Sequence, residues 1–245
     1  MNGKWSNAES KRSPLHWFAR LLLAMVLPAF LGCGNSPAQW TNHNKLETIA
    51  FAIGVYRDIF KEYPPIVVTN DAEESLHSWR VLILPQIEAN NFYDQYDFET
   101  AWNGERNIDL RDGTRRMDSD EPNELVNAGR VYLPDDSPRM QETVFVALVN
   151  GQLREKEVRL PSVTQTGHYL PPGEPFVVLE IKHSGIHWME PRDVTPPMDR
   201  YPDWPSVDEV RDQIVGSVEI GDGDTRIFRD RTATLTYLES LTKME

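Results

Sequence analysis

Apolar residues recur at helical spacing between Asn44 and Tyr63, and charged residues take the positions in between. This pattern is typical of an amphipathic helix that packs along one side. Pro64 and Pro65 follow directly, and because proline cannot continue a helix, the pattern predicts that the helix ends there. The predicted apolar side carries Leu46, Ile49, Ala50, Ile53 and Phe60.

A second helical pattern opens the stretch from Leu76 to Gly104, with Ser78 as a plausible cap. Pro85 falls inside it, so we expect a kink or a restart near that residue. A second short helix is expected to begin at Asn90 or Asn91. The apolar and aromatic positions of these two helices are Trp79, Leu82, Ile83, Ile87, Phe92, Tyr93 and Tyr96, while Arg80, Gln86 and Glu88 are left for other faces.

Strand patterns dominate the second half of the chain. The segments Thr143–Val149 and Phe176–Ile181 are short, β-branched and apolar on both faces, which predicts buried central strands. Val158–Leu160 is a weaker strand. Two further short strands flank Gly221-Asp222-Gly223-Asp224, so this group predicts a hairpin. Leucines three residues apart between Thr234 and Met244 predict a closing helix.

Several strings of this sequence resemble one known family. They are NHNKLETIAFAIGVYRDIFKEYPP, SWRVLILPQIE, YDQYDF and SGIHWMEPRDV, and together they extend from about Asn42 over most of the chain. The strings are similar to the planctomycete-type family of pseudopilin-like proteins known as domain of unknown function 1559. The resemblance implies an α+β, type IV pilin-like fold with long loops, in which an N-terminal helix packs on a small antiparallel sheet. It also implies an extracytoplasmic setting, but no known activity.

The N-terminus predicts export. Basic residues occupy positions 4 to 20, Leu21–Leu31 is a short apolar run, and small residues surround Cys33, the one cysteine of the chain. This arrangement resembles a bacterial lipoprotein signal, in which the peptide is cut before the cysteine and the sulfur carries a diacylglycerol. The predicted organisation is therefore a signal peptide at 1–32, a tether at 33–42 and a pseudopilin-like domain at 43–245. Ser36-Pro37-Ala38 offers an alternative cleavage site.

The N-terminus also departs from the family that the chain resembles. Pseudopilins begin with a prepilin signal and a long apolar helix, whereas this chain has only the short run before Cys33. We therefore expect a single pilin-like head held at a membrane of the cell envelope, facing the periplasm or the exterior. Leu133 stands where relatives carry a cysteine, so a disulfide known for the family is absent.

Charge excludes one class of partner. The 245 residues carry a formal charge of −13, and the basic signal region makes the remainder more acidic still. Nucleic acid and anionic lipid both require basic surface, so no nucleic-acid partner is expected. Secretion-system or pilin-like proteins are the expected partners.

The string KHSGIHWMEPRD places His183, His187, Glu190 and Asp193 within eleven residues, which raises the question of a zinc site. Gly185 and Pro191 interrupt any continuous helix, so the side chains need not converge, and a structural turn is the preferred interpretation. We expect no enzyme activity, because no spacing joins a nucleophile, a base and oxyanion donors. No cofactor is expected, apart from calcium.

Asp222 and Asp224 are the candidate calcium ligands, because calcium takes several carboxylate and carbonyl oxygens. Pseudopilins that bind calcium in a similar loop support the idea by analogy. The full calcium-loop pattern and its distal glutamate are missing, which favours a plain Asp-Gly hairpin.

Tryptophans beside polar or proline residues are candidate binding residues. Trp40, Trp102, Trp188 and Trp204 are of this kind, and Trp188 and Trp204 are the pair that we single out. They could stack on a sugar, dock a protein or simply anchor loops. A deep pocket lined by these tryptophans and carboxylates would favour a small-ligand binding module, for a sugar or calcium. A flat apolar patch would favour a non-enzymatic assembly or interaction module.

Overall fold

The computed structural model describes residues 42–111, 131–133, 142–195, 203–221 and 223–241. Helix α1 spans Asn42–Phe60. It ends before the predicted boundary at Tyr63, because Lys61 adopts a left-handed φ of 62°, a conformation common just after helix ends. Of the residues assigned to its apolar side, all are buried except Phe60, which is exposed; the buried ones are Leu46, Ile49, Ala50 and Ile53.

The described residues form two four-stranded antiparallel sheets, where the sequence led us to expect one small sheet. The first sheet has the order β2-β1-β5-β4, with β1 at Val67–Thr69, β2 at Ser75–Ser78, β4 at Arg154–Arg159 and β5 at Thr164–Tyr169. The second has the order β3-β6-β7-β8, with β3 at Phe145–Leu148, β6 at Phe176–Ile181, β7 at Ile214–Ile220 and β8 at Thr225–Phe228.

The second sheet is covered by helices on both faces. Val178 and Val218 share a core cluster with Ile53 of α1, whereas Val177 and Leu179 pack in another cluster with Leu238. Because neighbouring residues of a strand point to opposite faces, these clusters lie on the two sides of the sheet. Leu238 belongs to the closing helix α6, Arg231–Leu241, which also contacts β7 and β8. The fold is therefore α+β, with α1 packed on an antiparallel sheet.

The predicted strand around Val146 forms at the end of its sheet and not at the centre. It is nevertheless buried, because the segment around Val194 runs beside it. The backbone N–H of Val194 donates to the Ala147 carbonyl over 3.0 Å, and the Val149 N–H donates to the Val194 carbonyl over 2.9 Å.

The stretch after β2 forms three short helical pieces. They are α2 at Trp79–Leu82, a 3₁₀ turn at Leu84–Ile87 and α3 at Asn90–Tyr93. Ser78 caps α2 as predicted, because its side chain accepts a hydrogen bond from the Arg80 N–H. The restart at Pro85 is also confirmed. The predicted asparagine cap of α3 is wrong, since Ala89 takes the capping position without a side-chain bond.

The remaining helices are α4 at Glu105–Arg111 and α5 at Val207–Val210, which a 3₁₀ turn at Arg211–Gln213 extends. Among the helices that the structure describes, none is both long and apolar enough to cross a membrane.

Candidate functional site

A fully buried ion pair connects two of the four strings that carry the family resemblance, SWRVLILPQIE and SGIHWMEPRDV. Nη2 of Arg80 lies 2.5 Å from Oδ1 of Asp193, and neither side chain is exposed. Arg80 is the second residue of α2, where the Ser78 cap fixes the start of the helix. Asp193 follows the turn that contains Glu190 and precedes the Val194 segment beside β3.

Further donors hold the Asp193 carboxylate. The indole Nε1 of Trp79 donates to Oδ2 over 3.1 Å, and the Ala147 N–H donates to Oδ1 over 2.7 Å. Burial raises the pKa of Asp193 to about 6, while Arg80 and the N–H donors oppose the rise. The group is therefore ionised at neutral pH. Because protein encloses the pair on all sides, its role is to join α2 to β3 and not to meet a ligand.

The sequence pattern does not indicate this pair. It leaves Arg80 for a face of the helix other than the apolar one, and it offers Asp193 only as a candidate metal ligand. The one sequence feature that could have pointed to this pair is that both residues lie inside strings that resemble the family. Burying an arginine requires several acceptors in fixed positions, and Phe145, Ser78 and Arg192 supply them in addition to Asp193.

Trp188 lies in the core. Its ring stacks on Tyr132 at 5.5 Å between centroids and 10° between planes, and it also contacts Phe92 at 5.3 Å. Tyr132 in turn donates a hydrogen bond over 2.8 Å to the Arg80 carbonyl. Trp188 is therefore a core residue, 4% exposed, that is linked through Tyr132 to the backbone of Arg80.

His77 is a second buried titratable group. Its ring nitrogens lie 3.0 Å from the Tyr96 hydroxyl and 3.1 Å from the Phe98 carbonyl oxygen. Burial lowers the pKa of His77 to about 4. The imidazole is therefore neutral at pH 7 and serves as a hydrogen-bonding element of the core.

A cleft of about 310 Å³ opens on the surface and includes Trp204 in its lining. One wall comes from the β1–β2 hairpin, through Thr69, Glu73 and Ser75, with His168 of β5 beside it. Trp102 forms part of the lining, and one of its faces stacks on His187 at 5.2 Å and 25°. The remaining lining residues are Glu190, Pro191, Arg192, Asp203 and Trp204, and Trp188 is not among them.

The turn Glu190–Arg192 is held in place by its own hydrogen bonds. Oε2 of Glu190 accepts the His187 N–H over 3.1 Å, and Oε1 accepts a bond from Nε of Arg192. Nη2 of Arg192 also donates to the Gly185 carbonyl over 2.9 Å. The turn that forms this wall of the cleft is therefore fixed, and it directly precedes the buried Asp193.

Asp224, a predicted calcium ligand, is not part of the cleft lining. Asp224 is exposed at the β7–β8 hairpin, where its carbonyl accepts the Gly221 N–H over 2.8 Å. Asp222 and Cys33 lie outside the described residues, as do the predicted signal peptide and most of the tether. Across the residues that the structure describes, no three His, Cys, Asp or Glu side chains are grouped so that they could hold a metal ion.

The outer side of α1 carries large apolar side chains among polar ones. Phe51 is 61% exposed and Ile59 is 55% exposed, and Val55 lies halfway between them. These three residues, which we call the outer stripe, are four apart and therefore form one row along the helix. Phe60, 58% exposed, adjoins the row at the end of the helix. Sequence analysis missed the outer stripe, because the buried side of the helix accounted for its pattern.

No curated protein and no solved structure matches this chain. The sequence of residues 41–176 matches the family described as protein of unknown function (DUF1559). Because that match spans more than half of the 245 residues, the chain belongs to this family.

Proposed function

We propose that this protein is a non-enzymatic, pseudopilin-like interaction module, tethered to a membrane of the cell envelope, and that the outer stripe of α1 is its docking surface. The observation that carries the proposal is the exposure of Phe51 and Ile59, at 61% and 55%, on one row of a well-packed helix. Large exposed apolar side chains that form a continuous patch are typical of interaction sites.

The geometry of the outer stripe favours a helical partner. Rows of side chains four residues apart form the ridges that fit into the grooves of a second helix. Burying each of these large side chains would contribute roughly 1.5–3 kcal/mol to association. The occupant we propose is therefore the apolar face of a helix from a pilin-like protein.

The tether is the second part of the proposal. A diacylglycerol on Cys33, which precedes α1 by only a few residues of chain, would keep the outer stripe near the membrane. Confinement to one surface raises the effective concentration of two weakly associating proteins. Enzyme activity is not part of the proposal.

The test is photo-cross-linking in cells, using the full-length chain with its own signal. The cross-linking amino acid is placed at Phe51 and, as the matched control, at Glu155, which is exposed on β4. We expect cross-links to a pilin-like protein from position 51 and none from position 155. The double variant Phe51→Ser, Ile59→Ser should lose capture of that protein. Equal cross-linking from both positions, or unchanged capture by the double variant, would overturn the proposal.

A second candidate function is the binding of a small ligand in the cleft. The observation that favours it is the presence of Trp102 and Trp204 beside three carboxylates in one depression. Pockets of roughly 300 Å³ and above accommodate small molecules. A sugar stacked on tryptophan is one chemistry for this site. Saturation-transfer NMR with glucose tests it, and loss of the signal in Trp102→Ala would place the sugar in the cleft.

A further inference from the structure

We infer that the cleft selects a small organic cation, with an ammonium or guanidinium head and a short aliphatic stem, over a neutral sugar. This inference rests on the second candidate function, that the cleft binds a small ligand. It concerns the chemistry of that ligand and is independent of docking through α1.

The first observation is the charge of the lining. Glu73, Glu190 and Asp203 face a single basic residue, Arg192. Arg192 is already engaged by Glu190. In the part of the chain that the structure describes, neither Glu73 nor Asp203 has a cationic partner. The lining therefore carries a net charge of about −2, which repels anions and attracts cations.

The second observation is the aromatic wall. His187 covers one face of Trp102, so the opposite side of the indole is the part that can meet a ligand. A cation close to the face of tryptophan is attracted by the ring quadrupole. Trp204 is 9% exposed and contributes a small apolar surface beside it. An aliphatic stem fits such a wall, while the charged head reaches the carboxylates.

The third observation is that the backbone of the turn that carries Glu73 is fixed by hydrogen bonds. The Asn70 side chain accepts the N–H groups of Ala72 and Glu74, each over 3.0 Å, and the Glu73 N–H donates to the Asn70 carbonyl over 3.0 Å. A turn fixed in this way lowers the entropic cost of binding.

These features discriminate between ligand classes. A neutral sugar would displace water from the carboxylates but carries no positive charge. The free energy of hydration that the carboxylates lose would therefore be only partly replaced. An ammonium or guanidinium head offers both the charge and several N–H donors. The same head occurs on free amines and on the lysine and arginine side chains of peptides, so the test includes both sources.

The probes are pentylamine, agmatine, 1-pentanol, glucose and the peptide acetyl-Gly-Lys-Gly-amide, titrated into the protein by saturation-transfer NMR and calorimetry. We expect pentylamine to bind at least about tenfold more tightly than 1-pentanol, which has the same stem without the charge. Binding should weaken when the salt concentration is raised, because salt screens exposed charges. Tighter binding of the peptide than of the free amines would identify a protein side chain as the source.

Variants locate the site. Glu73→Gln and Asp203→Asn change exposed residues, so the fold is preserved, and each should weaken pentylamine binding about two- to fivefold. Trp102→Ala should weaken it about two- to thirtyfold. Asp212→Asn removes an exposed carboxylate that pairs with Arg231 of α6 and is not part of the cleft lining, so it should leave binding unchanged.

The outcomes are distinguishable. If glucose binds and the amines do not, the cleft remains a ligand site and the cation inference fails. If no probe binds, both the inference and the second candidate function fail, while docking through α1 is untouched. Binding of pentylamine that is equally strong in the Glu73→Gln, Asp203→Asn double variant would also overturn the inference.

Discussion

At the scale of single residues, the interior of this protein depends on charged and polar groups that only tertiary structure can satisfy. The Arg80–Asp193 pair is the main example, because both side chains are fully buried. Replacing Asp193 with Asn would keep the volume but leave the guanidinium without its counter-charge. We expect Asp193→Asn to lower the free energy of unfolding by about 3–5 kcal/mol, measured by urea denaturation.

The matched control is the exposed pair of Arg231 with Asp212, joined over 2.8 Å. Asp212→Asn should cost less than about 1 kcal/mol, because water screens this pair. Joint replacement of the buried pair, Arg80→Met with Asp193→Leu, should recover only part of the lost stability, because it leaves the Trp79 indole and the Ala147 N–H without their acceptor. Equal effects of the two single asparagine variants would show that the buried pair does not stabilise the core.

The buried imidazole of His77 predicts how the stability of the protein depends on pH. Its folded-state pKa of about 4 lies below the ordinary value of 6.5, so the unfolded chain takes up the proton first. Its contribution to stability is therefore complete above pH 6.5 and is lost as the pH falls from 6.5 to 4. The loss amounts to about 3 kcal/mol.

The measurement is urea denaturation of the native protein and of His77→Gln at several values of pH between 7 and 4. The variant lacks the titrating ring, so its stability should fall less steeply over this range, although it is lower at pH 7. The carboxylates are common to both proteins and cancel in the comparison. Parallel curves would show that His77 is not held neutral by the core.

At the scale of elements, the sequence pattern predicts helices and strands best where a run of apolar residues is buried in the core. Helix α1 and strand β6 follow their predictions closely, because their apolar residues are buried in the core. In the β7–β8 hairpin, β8 matches its prediction to within one residue, whereas β7 begins at Ile214, four residues before the predicted start. Strands β1 and β2 were missed, since three or four residues contain too few positions to show a period. Only part of β4 was predicted, because five of its six side chains are at least partly exposed and mostly charged.

The β7–β8 hairpin carries the prediction about calcium. The structure closes the turn through the Gly221 N–H and the Asp224 carbonyl, so a backbone hydrogen bond joins the two ends of the turn. We expect millimolar calcium to leave the thermal midpoint of the protein unchanged, as a plain hairpin requires. Asp224→Asn is the control variant. A rise in the midpoint that this variant abolishes would instead identify the hairpin as a calcium site.

At the scale of the whole molecule, the cleft shows why the site was harder to predict than the fold. Its lining comes from five separate segments, between Thr69 and Trp204. The spacing of residues within one segment does not indicate that the five segments come together. Periodicity predicts helices and strands, but it does not predict which of them pack side by side. The sequence shows which tryptophans are candidates, but it does not show which are buried and which line the cleft. Trp188 is buried because Tyr132 and Phe92 pack around it.

The proposed attachment of the whole molecule to a membrane carries the last prediction. A net charge of −13 does not favour electrostatic attraction to anionic lipid, so the proposed attachment requires a covalent anchor. Acyl chains contribute about 0.8 kcal/mol per buried methylene, and two of them suffice for stable attachment. We therefore expect mass spectrometry of the mature N-terminal peptide to find Cys33 carrying a diacylglycerol.

The functional counterpart of this measurement is cell fractionation. The native chain should sediment with membranes, and Cys33→Ala should release it, while Ala38→Leu, which places a large residue in the alternative cleavage site, should not. If Cys33 is unmodified in the native protein, the tether proposed here is removed, and the outer stripe of α1 would have to find its partner by diffusion. Photo-cross-linking from Phe51 in the Cys33→Ala variant separates membrane attachment from docking. The outer stripe is intact in this variant, so a lower yield of cross-links would show that docking depends on confinement to the membrane.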